Sequence, residues 1–274
     1  MEEQLKEQFG EQITLLIIDM QRDFVMNGAP LGVPGGEDDD KRTGELIKRI
    51  GSKVEITCTL DSHQPYHIAH QWFWRNSAQQ HPNPFEVIHY DDVASGKMRP
   101  DNPDLFGWAL TYTKTLQEGG RFPLVIWPDH CLISSHGACL APYTAEAIYE
   151  WQRRKSENLV TFVTKGSYAL TEHYGAAKAE VSIKEEPSTC MNSGFVDTIE
   201  QSKLTYFLGE ASTHCVPTTM LDVTENFGEE IMQKIVFVED CSSPVPGFEK
   251  QGEDALNTLI ARGMRVERSD KIHI

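Results

Sequence analysis

The sequence predicts an α/β fold in which βαβ units surround a mainly parallel sheet. Three observations carry this expectation. Short apolar runs recur along the chain, stretches with helical spacing separate them, and polar residues follow the runs directly. The strand candidates, in order, are Ile13–Ile18, residues 54–60, 159–164 and 204–208, Ile235–Val238, and a last one near 264–266. Side chains of a strand alternate between its two faces, so continuous apolar runs suit strands covered on both. Residues 44–50 carry Leu46, Ile47 and Ile50 at helical spacing, and residues 144–154 carry Ala147, Ile148 and Trp151. Residues 216–227 follow Cys215 as a third helical stretch, and 252–262 carry Ala255, Leu256, Leu259 and Ile260. Crossovers between parallel strands are expected to be right-handed.

Two regions fall outside this alternation. The acidic run from Glu37 to Lys41 reads as a solvated loop. Residues 71–122 are rich in Pro, Trp and His and lack clear periodicity, so they read as an insertion with some helix of its own at 105–116. Segments this long without regular structure often serve as lids or binding elements.

Composition narrows the function. Among 274 residues, 25 Lys and Arg face 41 Asp and Glu, a net charge of −16. Nucleic acids and anionic membrane surfaces are bound through excess cations, so the balance argues against both as partners. The most apolar stretch, Leu15 to Ile18, is far short of the roughly 20 residues that cross a bilayer. The start, MEEQLKEQFGEQ, lacks the basic and apolar segments of a secretory signal. Six scattered cysteines without a CxxC pair suit a reducing compartment and no disulfide framework. The expected location is cytoplasmic.

Ligands of open α/β sheets bind beyond the carboxyl ends of the strands. Asp19, Asp61, Lys165 and the segment leading to Cys215 all follow strand candidates, so four polar groups from four strands converge on one edge. In Asp61-Ser-His63, a carboxylate and an imidazole at alternate positions can chelate one cation, and His130 in Trp127-Pro-Asp-His130 offers a distant third ligand. Such a set suits Zn, Fe or Mn. Taken alone, Asp-x-His more often describes capping or hydrogen-bonding residues, and His67, His70 and His81 read as solvated or helix-end residues. Cys215 lies between a strand and a helical stretch, where the helix dipole lowers a thiol's pKa and free N–H groups can hold an oxyanion. A buried structural thiol is the alternative. Taken one by one, Asp19 in its usual reading is a helix cap, and Lys165 in its usual reading is solvated surface.

Together, LLIIDMQRDF, TLDSHQPYH, WPDHC, Gly137-Ala138, VTKG and ASTHCV occur in an order that resembles the isochorismatase-like cysteine hydrolase superfamily, and its nicotinamidase branch in particular. The likeness runs from about Ile13 to Val266, the middle insertion excepted. It implies a six-stranded, mainly parallel sheet with helices on both faces, a Rossmann-like three-layer arrangement. It implies one hydrolase domain over 1–274, with the insertion at about 71–122. Asp19, Lys165 and Cys215 would form the catalytic triad. Asp61, His63 and His130 would hold one divalent metal ion, Zn, Fe or Mn. Backbone N–H groups of Ala211 and Cys215 would form the oxyanion hole, with a cis peptide between Glu210 and Ala211. Phe24 matches a ring-binding aromatic of the family, and Trp72, Tyr168 and Tyr174 match more loosely.

The chain departs from the family at Glu210, where an aliphatic residue is usual, at Ser212-Thr-His214, and in the insertion. The implied activity is metal-assisted hydrolysis of nicotinamide to nicotinic acid and ammonia through a Cys215 thioester, a step of NAD salvage. The metal-ligand set favours this over isochorismatases and carbamoyl amidases, which lack it. Another small-amide hydrolase, or a non-catalytic binding module on the same scaffold, stays open. The implied partner is a small-molecule amide. Relatives are often dimers or tetramers, so a homo-oligomer is compatible with the sequence.

Overall fold

The computed structural model describes residues 12–119 and 121–274. The start of the chain, on which the expectation about a secretory signal rests, lies almost wholly outside them. The strands are β1 (Ile13–Ile18), β2 (Glu55–Asp61), β3 (Trp74–Asn76), β4 (Val87–Ile88), β5 (Met98–Pro100), β6 (Leu124–Val125), β7 (Thr161–Lys165), β8 (Leu204–Gly209), β9 (Ile235–Val238) and β10 (Arg265–Glu267). The helices are α1 (Arg22–Val25), α2 (Gly36–Ile50), α3 (Tyr90–Ala94), α4 (Phe106–Gly119), α5 (Pro142–Gln152), α6 (Ser193–Gln201), α7 (Cys215–Phe227) and α8 (Glu249–Ala261).

Six strands form one sheet in the order β10-β9-β8-β1-β2-β7, and every neighbouring pair is parallel. From β1 the chain winds to β2 and β7 on one side, then returns to β8, β9 and β10 on the other. The crevice beyond the carboxyl ends of β1 and β8 is therefore the topological switch point, where α/β sheets bind ligands.

Alternation along each strand builds two apolar layers. Leu15, Ile17, Ile56, Cys58 and Leu208 pack with Leu46, Ile47 and Ile50 of α2 and Ala147, Ile148 and Trp151 of α5. On the opposite face, Leu16, Ile18, Phe207 and Phe237 pack with Phe195 and Ile199 of α6 and Val216, Met220 and Val223 of α7. Each such side chain contributes about 1.5–3 kcal/mol of burial.

The run from Glu37 to Lys41 is not the expected loop; it lies inside α2. Glu37, Asp38 and Asp39 occupy the first turn, where the helix dipole favours carboxylates. Asp39 and Asp40 are buried, which reverses the solvated reading. The Asp40 carboxylate accepts from the N–H groups of Tyr143 (3.0 Å) and Thr144 (2.8 Å), so α2 caps the start of α5. Helix α6 was not expected from the sequence; Asn192 caps it by accepting from the Phe195 N–H.

The 71–122 region carries more order than its sequence suggests. Strands β3 and β5 form an antiparallel ribbon, β4 pairs β6, and α3 and α4 pack over them. Its core of Phe73, Trp74, Ile88, Met98 and Tyr112 is continuous with Phe24, Trp127, Tyr174 and Ala211 at the switch point. The 71–122 region thus contributes to a third apolar cluster that reaches the switch point.

Candidate active site

The carboxyl ends of four strands deliver the polar groups named from the sequence. At the end of β1 the backbone turns left-handed at Asp19 (φ 44°). Aspartate tolerates this conformation better than most residues. Thr59 of β2 fixes the result, since its hydroxyl donates to Asp19 Oδ1 at 2.6 Å. Lys165, at the end of β7, places its Nζ 3.0 Å from Asp19 Oδ2, 3.1 Å from Asp61 Oδ1 and 3.7 Å from Cys215 Sγ. It also donates to the His173 carbonyl at 2.8 Å. All four side chains are buried.

One buried ammonium between two carboxylates sets the electrostatics. Burial pulls the Asp19 carboxyl up, Lys165 opposes it, and the Asp61 charge adds to the rise. Burial works against ionised Asp61 as well, but His63 and Lys165 hold it well below the usual carboxylate range. Burial opposes the Lys165 ammonium, yet Asp19, Asp61 and Cys215 keep its pKa well above the ordinary lysine value. The thiol differs from expectation. Cys215 stands at the first turn of α7, but burial pushes its pKa well up despite Lys165. Desolvation disfavours the thiolate, and the Asp19 and Asp61 charges add to the rise.

Asp61, His63 and His130 offer ligand atoms that all lie within 4.8 Å of one another. His63 Nδ1 faces the Gly166 carbonyl at 3.1 Å, and His130 Nδ1 faces the Pro128 carbonyl at 2.8 Å. Carbonyls only accept, so Nδ1 carries a proton in both rings and Nε2 is turned toward Asp61 Oδ2, at 3.0 and 3.4 Å. Backbone carbonyls that fix the outer ring nitrogen are the usual support of metal-binding histidines. Burial opposes a charged His63, yet Asp61 and Glu172 raise it to about 9. Asp61 and Glu172 thus place negative charge beside His63, and the donor set of one carboxylate and two imidazoles fits a divalent cation. Gly166 is required beside it: its φ is +76°, and a Cβ there would meet Asp61 Oδ1 and His63 Cε1 at 2.8 Å.

His67 and His70 are fully buried, not solvated or helix-end residues. His67 donates through Nε2 to the Thr171 carbonyl (3.1 Å) and accepts at Nδ1 from the Ala69 N–H (3.2 Å). His70 packs its ring 5.1 Å from that of His63, and burial pushes its pKa down to about 2. His81 is half-buried against the carbonyls of Gln71 and Trp74.

Strand β8 leads into a cis peptide between Glu210 and Ala211. Among the described residues, neither the Ala211 nor the Cys215 N–H donates to a protein acceptor. Both residues border a small cavity that also reaches Asp61 and His130. Its walls are Phe24, Leu31, Trp127, Tyr174 and Val245. Phe24 and Tyr174, named from the sequence, border this cavity. Trp72 and Tyr168 do not border the cavity; Trp72 is 42% exposed and donates to the Asp129 carboxylate at 2.9 Å.

Sequence reasoning missed Trp127, His214 and Glu172. Trp127 and His214 adjoin named motifs, and that adjacency was the available signal. His214 is neutral, its pKa pushed down to about 3 by burial, and its ring lies against Trp127, Tyr174 and Phe248. Glu172 gave no local signal; it reaches the cluster from a loop, 3.9 Å from His63 Nε2.

No protein-family model matches the chain. The curated nicotinamidase of Saccharomyces cerevisiae is 24% identical over 220 residues, covering 77% of this chain and 81% of that protein. Among solved structures, an Acinetobacter baumanii nicotinamidase and pyrazinamidase matches with a TM-score of 0.63 at 20% identity, over 95% of this chain and 97% of that one. The yeast nicotinamidase bound to nicotinaldehyde matches with a TM-score of 0.63 at 18% identity, over 94% and 100%. A Pyrococcus horikoshii pyrazinamidase in complex with zinc matches with a TM-score of 0.55 at 19% identity, over 94% and 99%. With its parallel six-stranded sheet and these neighbours, the chain has the isochorismatase-like α/β fold in the form shared with nicotinamidases and pyrazinamidases.

Proposed function

We propose that the chain is a cysteine amidohydrolase that converts nicotinamide and water to nicotinic acid and ammonia. The observation that carries this reading is Lys165 Nζ, 3.0 Å from Asp19 and 3.7 Å from Cys215 Sγ, at the switch point and beside a donor set fit for a metal. Nicotinamidases are also the named relatives in sequence and fold.

Cys215 is the nucleophile. Its sulfur rests protonated, so attack requires a base, and Asp19, whose raised pKa suits it to take a proton, accepts it as the sulfur–carbon bond forms. Lys165 stays charged and stabilises the developing thiolate. The carbonyl oxygen accepts from the Ala211 and Cys215 N–H groups, each worth about 3–4 kcal/mol by analogy with other oxyanion holes. Asp19 returns the proton to nitrogen, ammonia leaves, and a thioester remains on Cys215. Asp19 then activates water, which attacks the thioester and frees the acid and the thiol. A divalent ion held by Asp61, His63 and His130 would supply a Lewis acid that binds the pyridine nitrogen and orients the ring. Phe24 and Tyr174 wall the ring, and Trp127 lies beside them.

The test is ammonia release from nicotinamide, with pyrazinamide and aliphatic amides alongside, before and after chelation and metal add-back. Release from nicotinamide that Cys215→Ala abolishes and chelation reduces is the expected result. Turnover of another amide but not nicotinamide moves the substrate and keeps the triad. Silence on every amide from folded, metal-loaded protein overturns the enzymatic reading.

A further inference from the structure

The turn that carries the Ala211 and Cys215 N–H groups is fastened from behind by a buried acid. Glu210 is fully buried, and so is Asp39 of α2, at 0% and 1% exposure. Ser243 links the two carboxyls, since its N–H donates to Glu210 Oε2 at 3.1 Å and its hydroxyl donates to Asp39 Oδ2. The same loop grips the turn twice more. The Ser212 N–H donates to the Ser243 carbonyl at 3.0 Å, and the Val245 N–H to the Thr213 hydroxyl at 3.2 Å.

Charge does not balance if both acids are ionised. The charged groups facing Glu210 are Asp39 and Arg42, both on α2, and Arg42 is already committed to Asp39 Oδ1 at 2.6 Å. The neighbouring β1 offers the Ile18 carbonyl, which accepts from the Glu210 N–H, and the 242–245 loop offers hydroxyl and backbone groups. Glu210 Oε1 has no partner unless it bears a proton, and Asp39 lies within its reach. An unpaired buried carboxylate costs several kcal/mol, whereas a carboxyl donating to a carboxylate satisfies both groups.

We propose that Glu210 is a positioning residue that holds the Ala211–Cys215 turn as a neutral carboxylic acid, donating to Asp39 while accepting from the Ser243 N–H. Burial and the adjacent Asp39 charge push its pKa well up, in line with this arrangement. The role rests on the oxyanion-hole reading above, but the protonation state does not, so the two fail separately.

Two variants test it. Glu210→Gln keeps an acceptor for Ser243 and a permanent donor for Asp39. Glu210→Leu removes both. Infrared difference spectra of wild type minus Glu210→Gln at neutral pH should show a protonated-carboxyl C=O band. Its absence would overturn the proposal whatever the enzyme's substrate proves to be. With an amide substrate, Glu210→Leu should lose kcat by at least about tenfold with KM nearly constant, because oxyanion donors act in the transition state. Glu210→Gln should recover most of that loss and carry activity to higher pH than wild type, whose clamp opens when Glu210 ionises. Superimposable alkaline limbs for wild type and Glu210→Gln, or an undiminished kcat in Glu210→Leu, would refute the positioning role. If Glu210→Leu fails to fold, the infrared band and the Glu210→Gln profile still decide.

Discussion

At the residue scale the site is organised by one buried cation. Lys165 contacts Asp19, Asp61 and Cys215 at once, so it sets the electrostatics around the Cys215 sulfur and around the Asp61–His63–His130 donor set together. Removing it leaves buried Asp19 without its counter-ion and buried Asp61 with His63 alone, and breaking comparable buried pairs costs about 3–5 kcal/mol. Lys165→Met should therefore lower thermal stability as well as abolish amide turnover, and calorimetry alongside the ammonia assay checks both. Asp19→Asn keeps the shape of the side chain but cannot take a proton. Its kcat/KM should fall about 10²–10⁴-fold, the range of lost general-base catalysis, while nicotinamide affinity by titration changes little. This convergence was partly legible. Asp19, Asp61, Lys165 and the segment leading to Cys215 could be named because each follows an apolar run. The depth of burial could not be read, and it is burial that pushes the Cys215 pKa well up.

Elements position these residues by close approach. Helix α8 presses on the turn before Cys215 at Gly252, where an added Cβ would lie 2.7 Å from Thr213 Cγ2 and 2.8 Å from Thr213 Cα. The obstacle includes backbone, so it cannot simply rotate away. Gly252→Ala should cost about 1–3 kcal/mol, the usual price of overpacking, and slow amide turnover by displacing the Ala211–Cys215 turn. Denaturant unfolding and kcat measured on the same preparation test this. Element identity was well legible where periodicity was strong: β1 and β9 match their expected ends, and α7 and α8 begin one to three residues from them. It failed at the Glu37 to Lys41 run. An acidic cluster looks like a solvated loop unless it is recognised as a helix's first turn, and tertiary contacts with Ser243 and the start of α5 then bury it.

For the whole molecule, pH and metal are the levers. Burial pushes Glu180 up to about 8, with Arg121 opposing and Asp222 adding to the rise. The native chain therefore holds a proton there that the unfolded chain releases in the ordinary carboxylate range. Between that range and about pH 8 the native state binds more protons, so this contribution to stability falls as pH rises and levels off above. Glu180→Gln should flatten this decline, and melting temperatures of both proteins from about pH 5 to about pH 9 should diverge with wild type the lower. Metal acts in the opposite sense. A cation that binds only the folded Asp61–His63–His130 set stabilises by about 4 kcal/mol at a thousandfold excess over its dissociation constant, so chelation should lower the melting temperature and add-back restore it.

The sequence by itself determined the alternation of strands and helices, hence a parallel sheet, and the polar residues that end its strands. Those follow from local periodicity and from the fact that a strand's last residue emerges at a fixed edge. Only the tertiary structure decided which groups meet, and in what charge state. Glu172 enters the cluster from a loop, His67 and His70 are buried beside it, Trp72 is turned away, and the 71–122 region packs behind the wall residues Phe24, Trp127 and Tyr174. Glu210 is the clearest case. Its sequence marks only a charge where an aliphatic residue is usual, while the packing of α2 and the Ser243 loop around it removes water and supplies Asp39 as partner. Desolvation is a property of the surrounding elements, and no local pattern encodes it.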